Sequence, residues 1–309
     1  MINFIYLTSF FLVIFLCRVD ATAIPLTVTN KTEAYAVTFP DIDPVALHLG
    51  PLVIRWYALA YVAGIVAGWA WAARVVRQHR DQWPQQYVRL NVDDLVTYVI
   101  LGIILGGRLG YVLFYNLPYY IENPADIPAV WHGGMSFHGG AIGVMAAFAI
   151  YCWRHSLSFL RVGDVVAFSV PFGLFFGRIA NFINGELYGR VTTHPWGMIF
   201  PNGGPDPRHP SQLYEAVLEG PLLLAILIMF ARTSYFRRYP GMLGALFLMG
   251  YAVFRFCIEF VREPDAQLGF LWAVGTSGAT MGQLLCLVMF ALGAGIAIWT
   301  KIRHDRYPA

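Results

Sequence analysis

Charge is scarce in this chain. Of its 309 residues, 13% are Asp, Glu, Lys or Arg, against 58% hydrophobic. That balance belongs to polytopic membrane proteins rather than soluble enzymes. A net charge of +3 is too small to suggest nucleic-acid binding, and no such partner is expected. Cysteine is sparse too. Cys17, Cys152, Cys257 and Cys286 lie in or beside apolar runs and form no CxxC, so they read as small buried hydrophobes. No GxSxG, HExxH or carboxylate pair with metal spacing occurs, so neither a metal nor a cofactor is expected. Period-two alternation is also missing. The apolar runs are continuous, which favours helical spans over a barrel.

What is present is an all-α pattern: a membrane helix bundle of seven core spans. Their approximate limits are Leu52–Ala73, Leu95–Phe114, Gly139–Trp153, Val165–Ile183, Leu213–Phe230, Leu243–Phe260 and Gly282–Thr300. Basic residues gather in alternate loops: Arg74, Arg77, Arg80 and Arg89; Arg154 and Arg161; Arg232, Arg237 and Arg238; Lys301, Arg303 and Arg306. The intervening loops hold Glu122 and Asp126, then Glu186 and Asp206, then Glu263 and Asp265, with few bases. The positive-inside rule then puts the C-terminus in the cytoplasm, with Arg178, His138 and Arg255 in the outer half of the membrane or at its surface. A Pro- and Gly-rich polar arm between Asn184 and Ser211 lies outside as a structured loop. At the N-terminus, Ile2–Cys17 is a short apolar run followed by Ala21-Thr-Ala23. It is a cleaved signal, an extra span or the product of an upstream start codon. Residues 18–38 read as a polar tether, so residues 1–38 form an extension and 39–309 the membrane domain.

Polar groups inside spans are costly and usually mark function. The richest such segment is Gly177-Arg-Ile-Ala-Asn-Phe-Ile-Asn-Gly-Glu-Leu-Tyr-Gly-Arg190. Arg178, Asn181 and Asn184 are three apart and share a helix face. A guanidinium with two carboxamides suits a phosphate or carboxylate. A second cluster, Gly133-Gly-Met-Ser-Phe-His-Gly-Gly140, sets His138 among glycines that permit positive φ and let N–H groups point at an anion. His138 is a general base, a phosphate donor or a tie between loops. A third, Tyr251, Arg255, Glu259 and Arg262, lies on one helix face. Arg255 and Glu259 either neutralise each other or hold an anion in a set orientation. In Gly106-Gly-Arg-Leu-Gly-Tyr111 the glycines suit close helix packing and Arg108 suits snorkelling to a head group. In Arg208-His-Pro-Ser-Gln-Leu-Tyr-Glu215, Ser211 is placed to cap the fifth span and His209 to position the arm.

Together with Ile54-Arg-Trp-Tyr57 and Arg255-Phe-Cys-Ile-Glu-Phe-Val-Arg-Glu-Pro-Asp265, these motifs run in order from Phe39 to Tyr307. In that order the chain resembles the bacterial prolipoprotein diacylglyceryl transferases. The resemblance implies a multi-pass protein of the bacterial inner membrane, with its chemistry towards the periplasm. Phosphatidylglycerol would be the lipid donor and the lipobox cysteine of a preprolipoprotein the acceptor. The family's functional positions fall on Tyr57, His138, Arg178, Asn181, Glu186, Gly189, Tyr251, Arg255 and Glu259. Of these, His138, Arg178, Arg255 and Tyr57 are expected in catalysis. Arg178, Asn181, Glu186, Gly189, Tyr251 and Glu259 are expected to bind phosphatidylglycerol. Residues 1–38 lie outside the resemblance, and the arm between Tyr188 and Arg208 is shorter than in longer members.

The implied reaction is thioether formation at the glyceryl carbon with loss of glycerol phosphate. His138 would aid the thiol, while Arg178, Arg255 and Asn181 would stabilise the leaving phosphate. Two other readings suit the buried charges: an anionic-lipid transporter or scramblase, and a phospholipid phosphatase.

Overall fold

A computed structural model describes residues 37–40, 42–50, 52–78, 90–130, 133–233, 238–264, 270–274 and 277–306. The Ile2–Cys17 run, the tether before Val37, and Arg80, Arg89, Arg237 and Asp265 lie outside the described residues. Helices stand at all seven expected positions: α1 (Trp56–Gln78), α2 (Val92–Phe114), α4 (Phe137–Arg154), the pair α5 (Phe159–Val166) and α6 (Val170–Ile183), α7 (Ser211–Ala231), α8 (Met242–Ile258) and α9 (Met281–Arg306). A short α3 (Leu117–Glu122) lies between α2 and α4. Four of these helices are long and apolar enough to cross a membrane, and a fifth span results if α5 and α6 are one. The chain is therefore an α-helical, membrane-associated bundle.

Several boundaries differ from the sequence expectation, each for a local reason. Residues Leu52–Arg55 are not the start of the first span. They form strand β3, paired antiparallel with β2 (Val45–Leu49), and the helix begins at Trp56. The fourth span is broken, with 42° between α5 and α6. Pro171 lies in the first turn of α6, where its missing N–H is tolerated but cannot continue the preceding helix. The Ser169 hydroxyl at the break donates to the Gly68 carbonyl of α1 at 2.9 Å. The fifth span contains a π-turn over Leu218–Leu222, where Pro221 removes a donor and Gly220 takes φ −92°, ψ −106°. Ser211 does not cap that span. Its hydroxyl instead donates to the Leu187 carbonyl of the arm at 3.1 Å.

Two seams organise the bundle. In the first, α2 packs on α4 through Gly102, Gly106, Gly110, Gly139 and Gly143. A methyl added at Gly110 would stand 2.6 Å from the Gly139 Cα, so these helices meet backbone to backbone. In the second, α6 meets α1 and α7, and a methyl at Gly220 would reach within 2.7 Å of the Phe175 Cβ. A half-buried carboxylate ties α8 to α5. Asp164 accepts from the N–H groups of Gly241, Leu243 and Gly244 at 2.7, 2.9 and 3.0 Å, satisfying donors that the start of a helix leaves open.

The arm is a loop, as its Pro and Gly content implies. Its β4 (Met198–Ile199) pairs with β1 (Val37–Thr38), and bridges join Gly189 to Arg262 and Val191 to Arg208. A last hairpin, β5 (Trp272–Val274) with β6 (Ser277–Ala279), precedes α9.

Candidate active site

Where α6, α7 and α8 meet, five charged side chains form one buried network. The Arg178 Nε of α6 lies 3.2 Å from Glu215 Oε2 and 3.3 Å from Glu219 Oε2, both on α7. From α8, Arg255 Nη1 lies 3.6 Å from Glu215 Oε1 and pairs with Glu259 at the helix end. Glu215 thus bridges the two guanidiniums. The geometry follows from spacing: Glu215 and Glu219 are one turn apart on α7, as are Arg255 and Glu259 on α8. Glu215 and Glu219 are 0% exposed, whereas the Arg178 and Arg255 side chains keep 17% and 11% exposure. A charged group so buried persists only if paired. The Tyr251 ring, one turn before Arg255, lies within electrostatic reach of Arg178, Arg255, Glu215 and Glu219.

Two guanidiniums face three carboxylates here. Among the described residues, only Nε of Arg178 and Nη1 of Arg255 are engaged, so further N–H donors of both forks stay open to a ligand. Such donors, fixed in a water-poor setting, favour an oxyanion or phosphate.

Asn181, Glu186 and Gly189 extend the network towards the arm. The carboxamides of Asn181 and Asn184 both donate to Glu186 Oε1, at 2.9 and 3.3 Å. Asn184 caps α6 rather than continuing the face of Arg178, so the three polar residues at threefold spacing divide between two tasks. Gln212 Nε2 holds the Glu186 carbonyl at 2.6 Å. Gly189 is required by contact: a methyl there would stand 2.5 Å from the Val261 carbonyl oxygen and 2.7 Å from the His209 Cβ. Tyr57, at the start of α1, hydrogen-bonds Tyr61 at 3.2 Å and lies within electrostatic reach of Arg178 and Glu186.

His138 stands apart. It sits in the first turn of α4, exposed, against the Phe137 ring. Among the described residues it makes no hydrogen bond or ion pair with the arginine network. Its glycines also have another use. Gly133 and Gly134, at φ 82° and 77°, turn their carbonyls to Arg108 Nη1 at 2.5 and 3.2 Å. Gly139 is the contact with α2. The N–H groups of Ser136, Gly139 and Gly140 are taken by the Gly107 carbonyl, the Ser136 hydroxyl and the Ser136 carbonyl, so they do not point at an anion. Arg108 does not snorkel. It is 4% exposed and also donates to the Asp126 and Ile127 carbonyls, both at 2.7 Å.

His209 positions the arm. Its carbonyl accepts from the Gly189 N–H at 2.8 Å, and its ring meets the Tyr214 hydroxyl at 3.3 Å. Burial, aided by His194, pushes its pKa down to about 4. Sequence reasoning passed over Glu215 as a charge and Glu219 altogether. The signal was present: two glutamates four apart in an otherwise apolar span.

These features define a helical membrane protein with a buried centre of two arginines and three carboxylates. The prolipoprotein diacylglyceryl transferase family model matches residues 44–299, and the chain belongs to that family. A phosphatidylglycerol–prolipoprotein diacylglyceryl transferase of Azospirillum brasilense is 52% identical over 276 residues, 89% of this chain and 98% of the relative. One from Rhodospirillum rubrum is 52% identical over 273 residues (88% and 96%), and one from Nitratidesulfovibrio vulgaris strain DP4 is 54% identical over 257 (83% and 94%).

Proposed function

We propose that this protein transfers the diacylglyceryl group of phosphatidylglycerol to the lipobox cysteine thiol of a preprolipoprotein. The sulfur attacks the glyceryl carbon bearing the phosphate. A C–S bond forms, the C–O bond breaks, and glycerol phosphate leaves while the thiol gives up its proton. The observation that carries the reading is the convergence of Arg178 and Arg255 on Glu215, with donors left open on both forks. Negative charge grows on the leaving phosphate as the C–O bond breaks, and fixed guanidiniums stabilise it most at that moment. Asn181, Glu186, Gly189, Tyr251 and Glu259 shape the head-group site, and Tyr57 lines its entrance beside Arg178. His138 takes the thiol proton. Its exposed position suits a peptide substrate arriving from outside better than a lipid head group within the network.

In this reading residues 39–309 are the transferase domain, and the helices cross the bacterial inner membrane seven times. α4 and α8, at 18 and 17 residues, supply the third and sixth crossings. The site lies towards the periplasm and the C-terminus in the cytoplasm, as the loop charges imply. The test incubates the purified protein with head-group- and glycerol-labelled phosphatidylglycerol and a lipobox peptide. A labelled thioether and free glycerol phosphate are expected. Head-group loss without peptide labelling would indicate a phosphatase, and lipid movement without bond cleavage a scramblase.

A further inference from the structure

Glu259 is held from a side that the reaction scheme does not mention. Its Oε2 pairs with Arg255, while its Oε1 accepts from the Thr280 hydroxyl at 2.9 Å. Thr280 immediately precedes α9. Its Oγ1 also accepts from the Gln283 N–H at 3.2 Å, and the Gln283 side-chain oxygen accepts from the Thr280 N–H at 3.2 Å. This is a reciprocal cap of the helix start. The hydroxyl has one proton. The oxygen accepts from Gln283, and the proton goes to Glu259, whose ionised carboxylate can only accept. Gly282 completes the seat: a methyl there would stand 2.6 Å from Glu259 Oε1 and 2.8 Å from its Cδ. The carboxylate therefore rests on the bare first turn of α9, where the helix dipole favours negative charge. All three groups are buried: Glu259 is 5% exposed, Thr280 3% and Gln283 6%.

We propose that Thr280, Gly282 and Gln283 are positioning residues for the transfer reaction, fixing the Glu259 carboxylate and through it the Arg255 fork. This rests on the reading of Arg255 and Glu259 as head-group residues. The seat explains why a helix on the far side of α8 needs both a hydroxyl and a bare glycine at its start. Either alone would cap a helix; together they shape a socket for one carboxylate.

Gly282→Ala is the sharpest probe. The atoms it strikes are the end of a side chain rather than backbone, so the fold survives while the carboxylate moves. Initial rates of transfer to a lipobox peptide are measured in detergent at matched amounts, beside thermal midpoints. Gly282→Ala and Thr280→Val are expected to lose at least about tenfold in kcat with little change in KM for the peptide, and Thr280→Ser to stay within about twofold of wild type. Wild-type rates in Gly282→Ala and Thr280→Val would overturn the proposal, as would a Thr280→Ser as impaired as Thr280→Val. A stability cycle with Glu259→Gln tests the contact independently of activity. Thr280→Val should lower the midpoint less in the Glu259→Gln protein than in wild type, and equal losses would also overturn it. A wild-type protein that labels no peptide would reject the transferase reading, whereas the cycle still decides whether the seat exists.

Discussion

The two polar regions of this bundle treat the membrane interior in opposite ways. Between α2 and α4, side chains are removed. Glycines let backbones touch, and the buried cation Arg108 is spent on backbone carbonyls and the Tyr120 ring. Between α6, α7 and α8, charges are concentrated. Each arginine meets carboxylates through part of its fork, and the rest stays open. A cation held by neighbouring carbonyls and a ring is a fastener. A cation balanced by carboxylates and still partly accessible can bind something else. The difference suggests that satisfaction, more than burial, separates a structural arginine from a working one.

Substitutions at four positions and one deletion test this contrast, and the largest effect belongs to the network. Arg178→Ala should lower transfer on the order of 10³-fold while the protein still inserts and accumulates, because a fixed oxyanion donor is lost. Arg178→Lys should also transfer poorly, since a point charge cannot reproduce the fork. Near-normal activity in the alanine variant would remove the network from the mechanism.

His138, on the other side of the comparison, should matter less and differently. His138→Gln should cost roughly 10²-fold at neutral pH. A base matters most while the thiol is protonated, so the loss should shrink as pH rises past about 8.5. Rates from pH 6 to 9.5 decide the matter: a constant ratio to wild type would leave catalysis to the arginines.

Gly139→Val addresses the seam itself. The added side chain strikes the Gly106 carbonyl and the Gly110 backbone. A stability loss of about 1–3 kcal/mol is expected, read as a lowered midpoint in detergent. An unchanged midpoint would mean that the helices can separate without cost.

His209 gives a smaller, pH-dependent effect. Its pKa in the folded protein is about 4, below the unfolded value near 6.5. The unfolded chain therefore binds the proton more readily between those values. Stability is fully present above about 6.5 and falls as pH drops towards 4. The ring is only partly buried, so less than about 1 kcal/mol is expected after screening, or at most about 4 °C. His209→Asn should flatten that part of the curve, and an unaltered acid slope would assign it elsewhere. The smallest effect is expected from deleting residues 2–38 behind a start Met, since the family match begins at residue 44. Transfer should persist, and loss despite normal insertion would make the extension part of the enzyme.

Much of this could be read in the sequence because membrane segments write in a simple code. The apolar runs became helices, four or five of them long and apolar enough to cross a membrane, and the Pro–Gly arm became a loop. The misreadings share one cause. Residue type reveals that a group is unusual, but its neighbours decide why. The glycines around His138 resemble an anion cradle until Gly106, Gly110 and Arg108 are seen to occupy their space and carbonyls. Glu215 and Glu219 stand out in an otherwise greasy α7, but their partners lie on α6 and α8, far along the chain. The break between α5 and α6 falls beside Pro171, and there the Ser169 hydroxyl reaches Gly68 on α1, a contact that a sequence does not display.

Glu215 carries a consequence for traffic through the site. An anion arriving between Arg178 and Arg255 does not meet bare cations, because Glu215 already lies 3.2 Å from one and 3.6 Å from the other. In the proposed reaction, an anion that takes the open donors of either fork shares that guanidinium with Glu215. In that reading, the resident carboxylate offsets the positive charge of both guanidiniums and eases the departure of an anionic product. A centre that held its arginines empty would grip product hardest of all; this one keeps its own competitor tethered 0% exposed beside them.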